Sequence, residues 1–163
     1  MREPITTSIF DIFKIGPGPS SSHTIGPMKA ALDFLKTIQN LPPDAVSSPA
    51  AVEVHLFGSL SLTGEGHGTH KAVLGGLLGW APETCDCDQL LALFDPPETV
   101  YRIHAGAADI PFTAADIHFE GSDDSLPHPN TLRFRLTAGG TILLEKEYYS
   151  IGGGFIRCRD ERS

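Results

Sequence analysis

The sequence predicts an α/β (α+β) domain, with a mixed sheet of about five strands and helices drawn mainly from the first half of the chain. Three observations predict it. "AVEVHLFGSL" alternates Val52, Val54 and Leu56 against Glu53, His55 and Phe57, the period-two pattern of a half-buried strand. "IGPMKAALDFLKTIQN" sets Met28, Ala31, Leu32 and Leu35 at spacings of three and four, which is one face of a helix. Four further strand-like segments then fill the second half: "TVYRIH", "TAADIHFEG", "NTLRFRLTA" and "TILLEKEYYS".

Taken in order, "SIFDIFKI" (residues 8–15) predicts a short amphipathic helical turn. A Gly-Pro loop follows and leads into the helix that begins near Gly26, where Pro27 is tolerated in the first turn. "TGEGHGTHKAVLGGLLGW" passes from a glycine-rich loop into an apolar helix, and Gly75 and Gly76 within it point to close packing. "CDQLLALF" is a short helix with Asp86 or Asp88 as its cap. Gly139-Gly140 joins the last two strands as a two-residue hairpin turn. Residues 1–150 are expected to form the domain, and "IGGGFIRCRDERS" (151–163) a glycine-rich linker toward a further region.

The chain has 163 residues, 40% hydrophobic and 20% charged, enough for one domain with a real core. A net charge of −8 argues against nucleic acid or an anionic membrane as the main partner, but not against a small anion held by a local field. No apolar run approaches the ~20 residues of a membrane span. "MREPITTSIFDIFKIG" is too polar for a signal peptide, so a cytoplasmic location is expected. Cys85, Cys87 and Cys158 make neither a disulfide framework nor a complete metal site, and they read as ordinary thiols near the surface.

Three polar loops carry the chemistry. "PSSSHT" gives Ser20, Ser21, Ser22 and Thr24 as neutral donors and His23 as a donor or cation, at the start of a helix where N–H groups favour anions. Ordinary capping needs one hydroxyl, not four. "GSLSLTGEGHGTHKA" ends a strand and opens a helix, the place where α/β proteins hold ligands. Its glycines match neither a dinucleotide fingerprint nor a phosphate loop. His67 and His70 lie three apart, but a metal site would need ligands that no spacing supplies, so no metal is expected. "HPNT", with His128 and Asn130, reads on its own as a turn.

"SIFDIFKIGPGPSSSHTIGPMKAA", "GSLSLTGEGHGTHKA" and "YYSIGGGFI" together closely resemble the N-terminal beta domain of iron–sulfur-dependent bacterial L-serine dehydratases, also called L-serine deaminases. The resemblance covers essentially the whole chain. Two positions depart from the family pattern: His70 stands where an acidic residue is usual, and Glu65 where a lysine is.

The resemblance implies a lyase of serine degradation, which turns L-serine into pyruvate and ammonia without pyridoxal phosphate. A [4Fe–4S] cluster with an open iron acts there as Lewis acid on the substrate hydroxyl. The cluster is bound outside this chain, in an alpha domain or subunit, so the chain alone is expected to be inactive. By the same resemblance the substrate carboxylate falls to Ser20, Ser21, Ser22, His23, Thr24, Gly66 and Thr69, with His128 and Asn130 closing the pocket. His67 is the expected acid/base. A homo-oligomer is expected. The domain also resembles the allosteric substrate-binding module of some phosphoglycerate dehydrogenases, which leaves a non-catalytic small-anion-binding regulatory module as the alternative.

Overall fold

The computed structural model describes residues 21–42, 44–46, 49–62, 68–105, 108–122, 125–152 and 154–159. Strand β1 (Ala50–Phe57) lies inside a five-stranded sheet, with β2 (Tyr101–Ala105) and β3 (Ala108–Phe112) outside it as a separate hairpin. The sheet neighbours of β1 are β4 (Ile117–Gly121), parallel to it, and β5 (Thr131–Ala138), antiparallel. β6 (Thr141–Gly152) and β7 (Phe155–Cys158) continue the sheet antiparallel beyond β5. The mixed α/β architecture with a five-stranded sheet is the one the sequence predicts.

Alternation decides which face of the sheet is covered. Val52, Val54 and Leu56 of β1 and Leu132, Phe134 and Leu136 of β5 are fully buried. Helix α1 (Gly26–Gln39) lies over β5, β6 and β7, and α2 (Thr69–Leu77) packs against α1. Phe34 of α1 stacks on Phe134 at 5.2 Å between ring centroids, and Tyr148 of β6 meets Phe134 edge-on at 5.6 Å. The Tyr148 hydroxyl donates to Asp33 Oδ2 at 2.5 Å, so its polar end is satisfied at the edge of the core. The opposite face carries a ladder of charge: Arg133 pairs with Glu147 at 2.9 Å, Arg135 with Glu145 at 2.9 Å, and His55 with Glu120 at 2.5 Å.

Gly76 explains how closely the two helices approach. A Cβ there would stand 2.4 Å from the Met28 carbonyl oxygen and 2.7 Å from the Ala31 Cβ. Gly139 and Gly140 have φ of 61° and 86°, the left-handed geometry that a two-residue hairpin turn demands. Asp86 caps the short helix α3 (Cys87–Leu91), accepting from the backbone N–H of Asp88 at 2.8 Å and of Gln89 at 3.3 Å.

The structure differs from the sequence reading in four places. β2 (Tyr101–Ala105) pairs with β3 (Ala108–Phe112), a strand the sequence reading missed because Pro111 sits inside it. Residues of "TAADIHFEG" begin as a 3-10 turn, Ala114–Asp116, capped by Thr113, and only then extend. The stretch expected as linker from residue 151 instead holds the end of β6 and all of β7, because Ile156 and Cys158 pair with Ser150 and Tyr148. Cys85 and Cys87 are buried rather than near the surface. The turn expected at residues 8–15 lies outside the described residues. Among the described residues no helix is long and apolar enough to cross a membrane.

Candidate functional site

Helix α1 is entered through a π-helical segment, Ser21–Ile25. This wider turn is rare and concentrates at functional sites. Ile25, at the junction with α1, makes no side-chain cap hydrogen bond. His23 is 3% exposed and lies between two hydroxyls: Ser22 Oγ is 2.8 Å from Nδ1 and Ser59 Oγ 2.8 Å from Nε2. Thr69, at the start of α2, donates to the His23 carbonyl at 2.5 Å. Ser150, in β6, donates to the Ser22 carbonyl at 2.7 Å. The serine turn is therefore fixed by contacts from three other elements.

The end of β1 brings the "HPNT" loop to the same place. Gly58 has φ of 63°, and a Cβ on it would fall 1.8 Å from the Pro129 carbonyl oxygen. Only glycine permits both. Next to it, the Ser59 N–H donates to that carbonyl at 3.1 Å. The Ser150 N–H donates to the Asn130 carbonyl at 3.0 Å. The Asn130 side-chain amide donates to the Ser150 carbonyl at 3.5 Å, and the Asn130 N–H donates to His128 Nδ1 at 3.0 Å. That last bond makes Nδ1 an acceptor, so the neutral ring carries its proton on Nε2.

Ser22, His23, Thr69, His128 and Asn130 thus share one polar seam, joined by Ser59 and Ser150. The hydroxyl of Thr69 holds the loop, and Thr24 is fully buried beside it. Ser21 lies in the π-helical segment. Ser20, Gly66 and His67 lie outside the described residues. Gly68, just before α2, has φ of 73°. His70 is not part of the seam. Its ring stacks on Phe94 at 5.9 Å with 7° between planes, and meets Phe119 at 6.4 Å, so it packs among aromatic rings.

Sequence reasoning missed Ser59 and Ser150. Both follow an apolar strand segment and precede or follow a glycine-bearing turn, which is the signal that could have found them. It also missed a second cluster on the open sheet face. A cavity of about 370 Å³ there is lined by Arg133, Glu145, Glu147 and Arg159. Burial pushes the Glu147 carboxyl up, but hydrogen bonds from Tyr149 and Arg133 and the charges of Arg133 and Arg159 outweigh it and hold it below its ordinary value. Burial, then the bond to Glu147, pushes the Tyr149 hydroxyl up to about 12. The Tyr149 ring lies 6.1 Å from that of His128, which links this cluster to the seam.

Without a metal, burial holds the thiols of Cys85 and Cys87 in the neutral form. Burial, then the neighbours Cys87 and Asp86, pushes Cys85 up to about 11, and burial also raises Cys87. Metal ligation needs thiolates. Among the described residues no group of three or more metal-binding side chains comes together.

Polar loops gathered at one end of a mixed sheet make this an α/β domain of the kind that holds small ligands at strand ends. The family model for the serine dehydratase beta chain matches residues 8–161. The chain belongs to the serine dehydratase beta-chain family. It is 41% identical over 153 residues to L-serine dehydratase 2 of Escherichia coli, covering 91% of this chain and 33% of that protein. It is 43% identical over 156 residues to the L-serine dehydratase of Streptomyces coelicolor, covering 94% of this chain and 34% of that protein. The L-serine dehydratase of Mycobacterium bovis is also 43% identical, over 157 residues. The chain spans about a third of the length of these relatives.

Proposed function

We propose that this chain supplies the substrate-carboxylate pocket of an L-serine dehydratase that converts L-serine into pyruvate and ammonia. The observation that carries the reading is the convergence of the three polar loops, locked by Thr69 to His23, Ser150 to Ser22 and Ser59 to Pro129. The enzyme works in the cytoplasm as a homo-oligomer, with an alpha domain or subunit beside this one. A [4Fe–4S] cluster carried there supplies Lewis-acid chemistry.

What the chain's own residues contribute is position and polarity. The serine turn holds a carboxylate with neutral donors, a role that the family resemblance gives to Ser20, Ser21, Ser22 and Thr24. His23 is held by hydroxyls at both ring nitrogens, so it is an orienting group more than a proton carrier. His128 offers its Nε2–H from the facing loop, and Gly66 belongs to the pocket by the family resemblance alone. His67, two residues before Thr69 in sequence, moves the proton.

The test is titration of the 15N-labelled chain with L-serine and with acetate. Shifts confined to the amides of Ser21–Thr24, His128 and Asn130 are expected, with roughly millimolar affinity because a small ligand recovers little beyond its association cost. Amides that stay still there while others move would misplace the pocket. Turnover restored by adding the separately made alpha region would select the dehydratase over a regulatory module that binds without catalysing.

A further inference from the structure

Asn130 holds the one detail of the seam that the carboxylate pocket leaves unexplained. Its Oδ1 is buried and has no hydrogen-bond donor. An unmatched buried acceptor is costly and uncommon in native proteins. Exchanging the amide's oxygen and nitrogen does not remove the problem: it would set Oδ1 against the Ser150 carbonyl oxygen, acceptor against acceptor, in place of the 3.5 Å contact now made by Nδ2.

Two further features make this oxygen available to a ligand. The contact that holds the amide is at the weak limit of a hydrogen bond. The residue as a whole is only half-buried, and the terminal torsion of an asparagine is soft. A small rotation of the amide therefore turns Oδ1 toward a donor arriving at the seam. Ser150 joins Asn130 to the serine turn, because its carbonyl faces the Asn130 amide and its hydroxyl donates to the Ser22 carbonyl.

We infer that Asn130 Oδ1 accepts a hydrogen bond from the α-ammonium of the bound amino acid, and so selects amino acids over amine-free hydroxy acids; this rests on the carboxylate pocket proposed above. The chemistry of the seam supports an ammonium. None of its described side chains, from Ser22 and His23 to Asn130 and Ser150, is a carboxylate. The nearby Glu147 is already held by Arg133, Arg159 and Tyr149. A neutral amide oxygen favours an ammonium without repelling the carboxylate beside it, which an acidic side chain would do.

The experiment compares three ligands on the full chain: L-serine, 3-hydroxypropionate, which lacks only the ammonium, and L-alanine, which lacks only the hydroxyl. The ratio of dissociation constants is the readout, since it does not depend on what fraction of a variant is folded. The wild-type chain is expected to prefer serine over 3-hydroxypropionate about tenfold or more, as a charged hydrogen bond allows. Asn130→Leu is expected to bring that ratio near one. Asn130→Asp, nearly the same shape, is expected to widen it. L-Alanine is expected to lose affinity with serine in Asn130→Leu. A ratio unchanged by both variants would overturn the inference while leaving the pocket intact. So would an effect of Asn130→Leu on 3-hydroxypropionate and not on alanine, which would assign Oδ1 to the hydroxyl. Failure of all three ligands to bind the wild-type chain would instead overturn the pocket itself.

Discussion

The Thr69 hydroxyl donates to the main-chain carbonyl of His23 across 46 residues of sequence, and both residues are buried. One side chain thus ties the first turn of α2 to the π-helical turn before α1. Thr69→Val keeps the shape and removes the donor, so the buried bond to the His23 carbonyl is lost. The expected cost is about 1–3 kcal/mol. Thr69→Ser keeps the donor and should cost clearly less. Urea denaturation of the two variants checks this. Equal losses would mean that the methyl group, not the hydroxyl, is what the site needs.

Glycine substitutions should rank by what a new Cβ would meet. Gly76→Ala drives a methyl into the Met28 carbonyl and the Leu32 backbone nitrogen, so α1 and α2 must separate. Overpacking of this kind costs about 1–3 kcal/mol or more. Gly75→Ala meets only side-chain atoms, the nearest at 3.1 Å, among them the flexible end of Met28. It should cost less. Gly140→Ala meets nothing within 4 Å, and its penalty comes from φ of 86° alone. That penalty is about 1 kcal/mol. Thermal midpoints of the three variants should fall in the order Gly76, then the other two.

These contrasts also show where the sequence was legible. Local chemistry was: Gly139-Gly140 announces its own turn, Asp86 its own cap, and the spacing of Met28, Ala31 and Leu35 its own helix. Where an element is decided by its partners, the signal failed. β3 is extended because β2 pairs with it despite Pro111, and β7 because β6 runs far enough to receive it. The parallel pairing of β1 with β4 is likewise a matter of tertiary order. The serine turn was legible as a polar loop with a purpose. Its partners Ser59 and Ser150 were marked only as serines beside a strand end and a glycine, a signal that does not say which loop they reach.

Glu147 makes a pH dependence with a definite sign. Its folded-state value lies below the ordinary one, so the folded chain binds fewer protons than the unfolded chain. The stability it contributes is fully present above the unfolded value, about 4.3. That stability is lost as pH falls through the lower folded value. Glu147→Gln should therefore lower the urea midpoint near neutrality. It should also flatten the decline of that midpoint below about pH 4.3. Parallel acid limbs in the two proteins would show that other carboxylates carry the acid sensitivity.

The cysteines give a chemical readout of burial. Cys85, pushed up to about 11, and buried Cys87 should resist alkylation at neutral pH, because the thiolate is the reacting species. Cys158, only half-buried on β7, should react first. Mass spectrometry after iodoacetamide treatment, with and without denaturant, separates the three. Anaerobic reconstitution of this chain with iron and sulfide should give no visible cluster absorbance. A stoichiometric cluster on this chain would mean that these thiols are ligands after all.

In the complete enzyme, His67→Ala should damage turnover more than Ser21→Ala. Ser21 offers one neutral donor among several on a carboxylate, and losing one costs on the order of 0.5–1.5 kcal/mol, partly made good by its neighbours. That loss should appear mainly as a higher KM, because it weakens ground state and transition state alike. A histidine that moves a proton contributes on the order of 10²–10⁴ in rate. Neither histidine of the described seam is free to take over that work. His23 is held at both ring nitrogens, and His128 has its Nδ1 committed to the Asn130 N–H. The competing account is that His67 only supports the turn into α2, in which case its loss would lower the thermal midpoint and leave kcat nearly intact. Steady-state kinetics at matched cluster content, read together with thermal midpoints, decide between them. A His67→Ala enzyme with near-normal kcat would move the proton-transfer role to residues outside this chain.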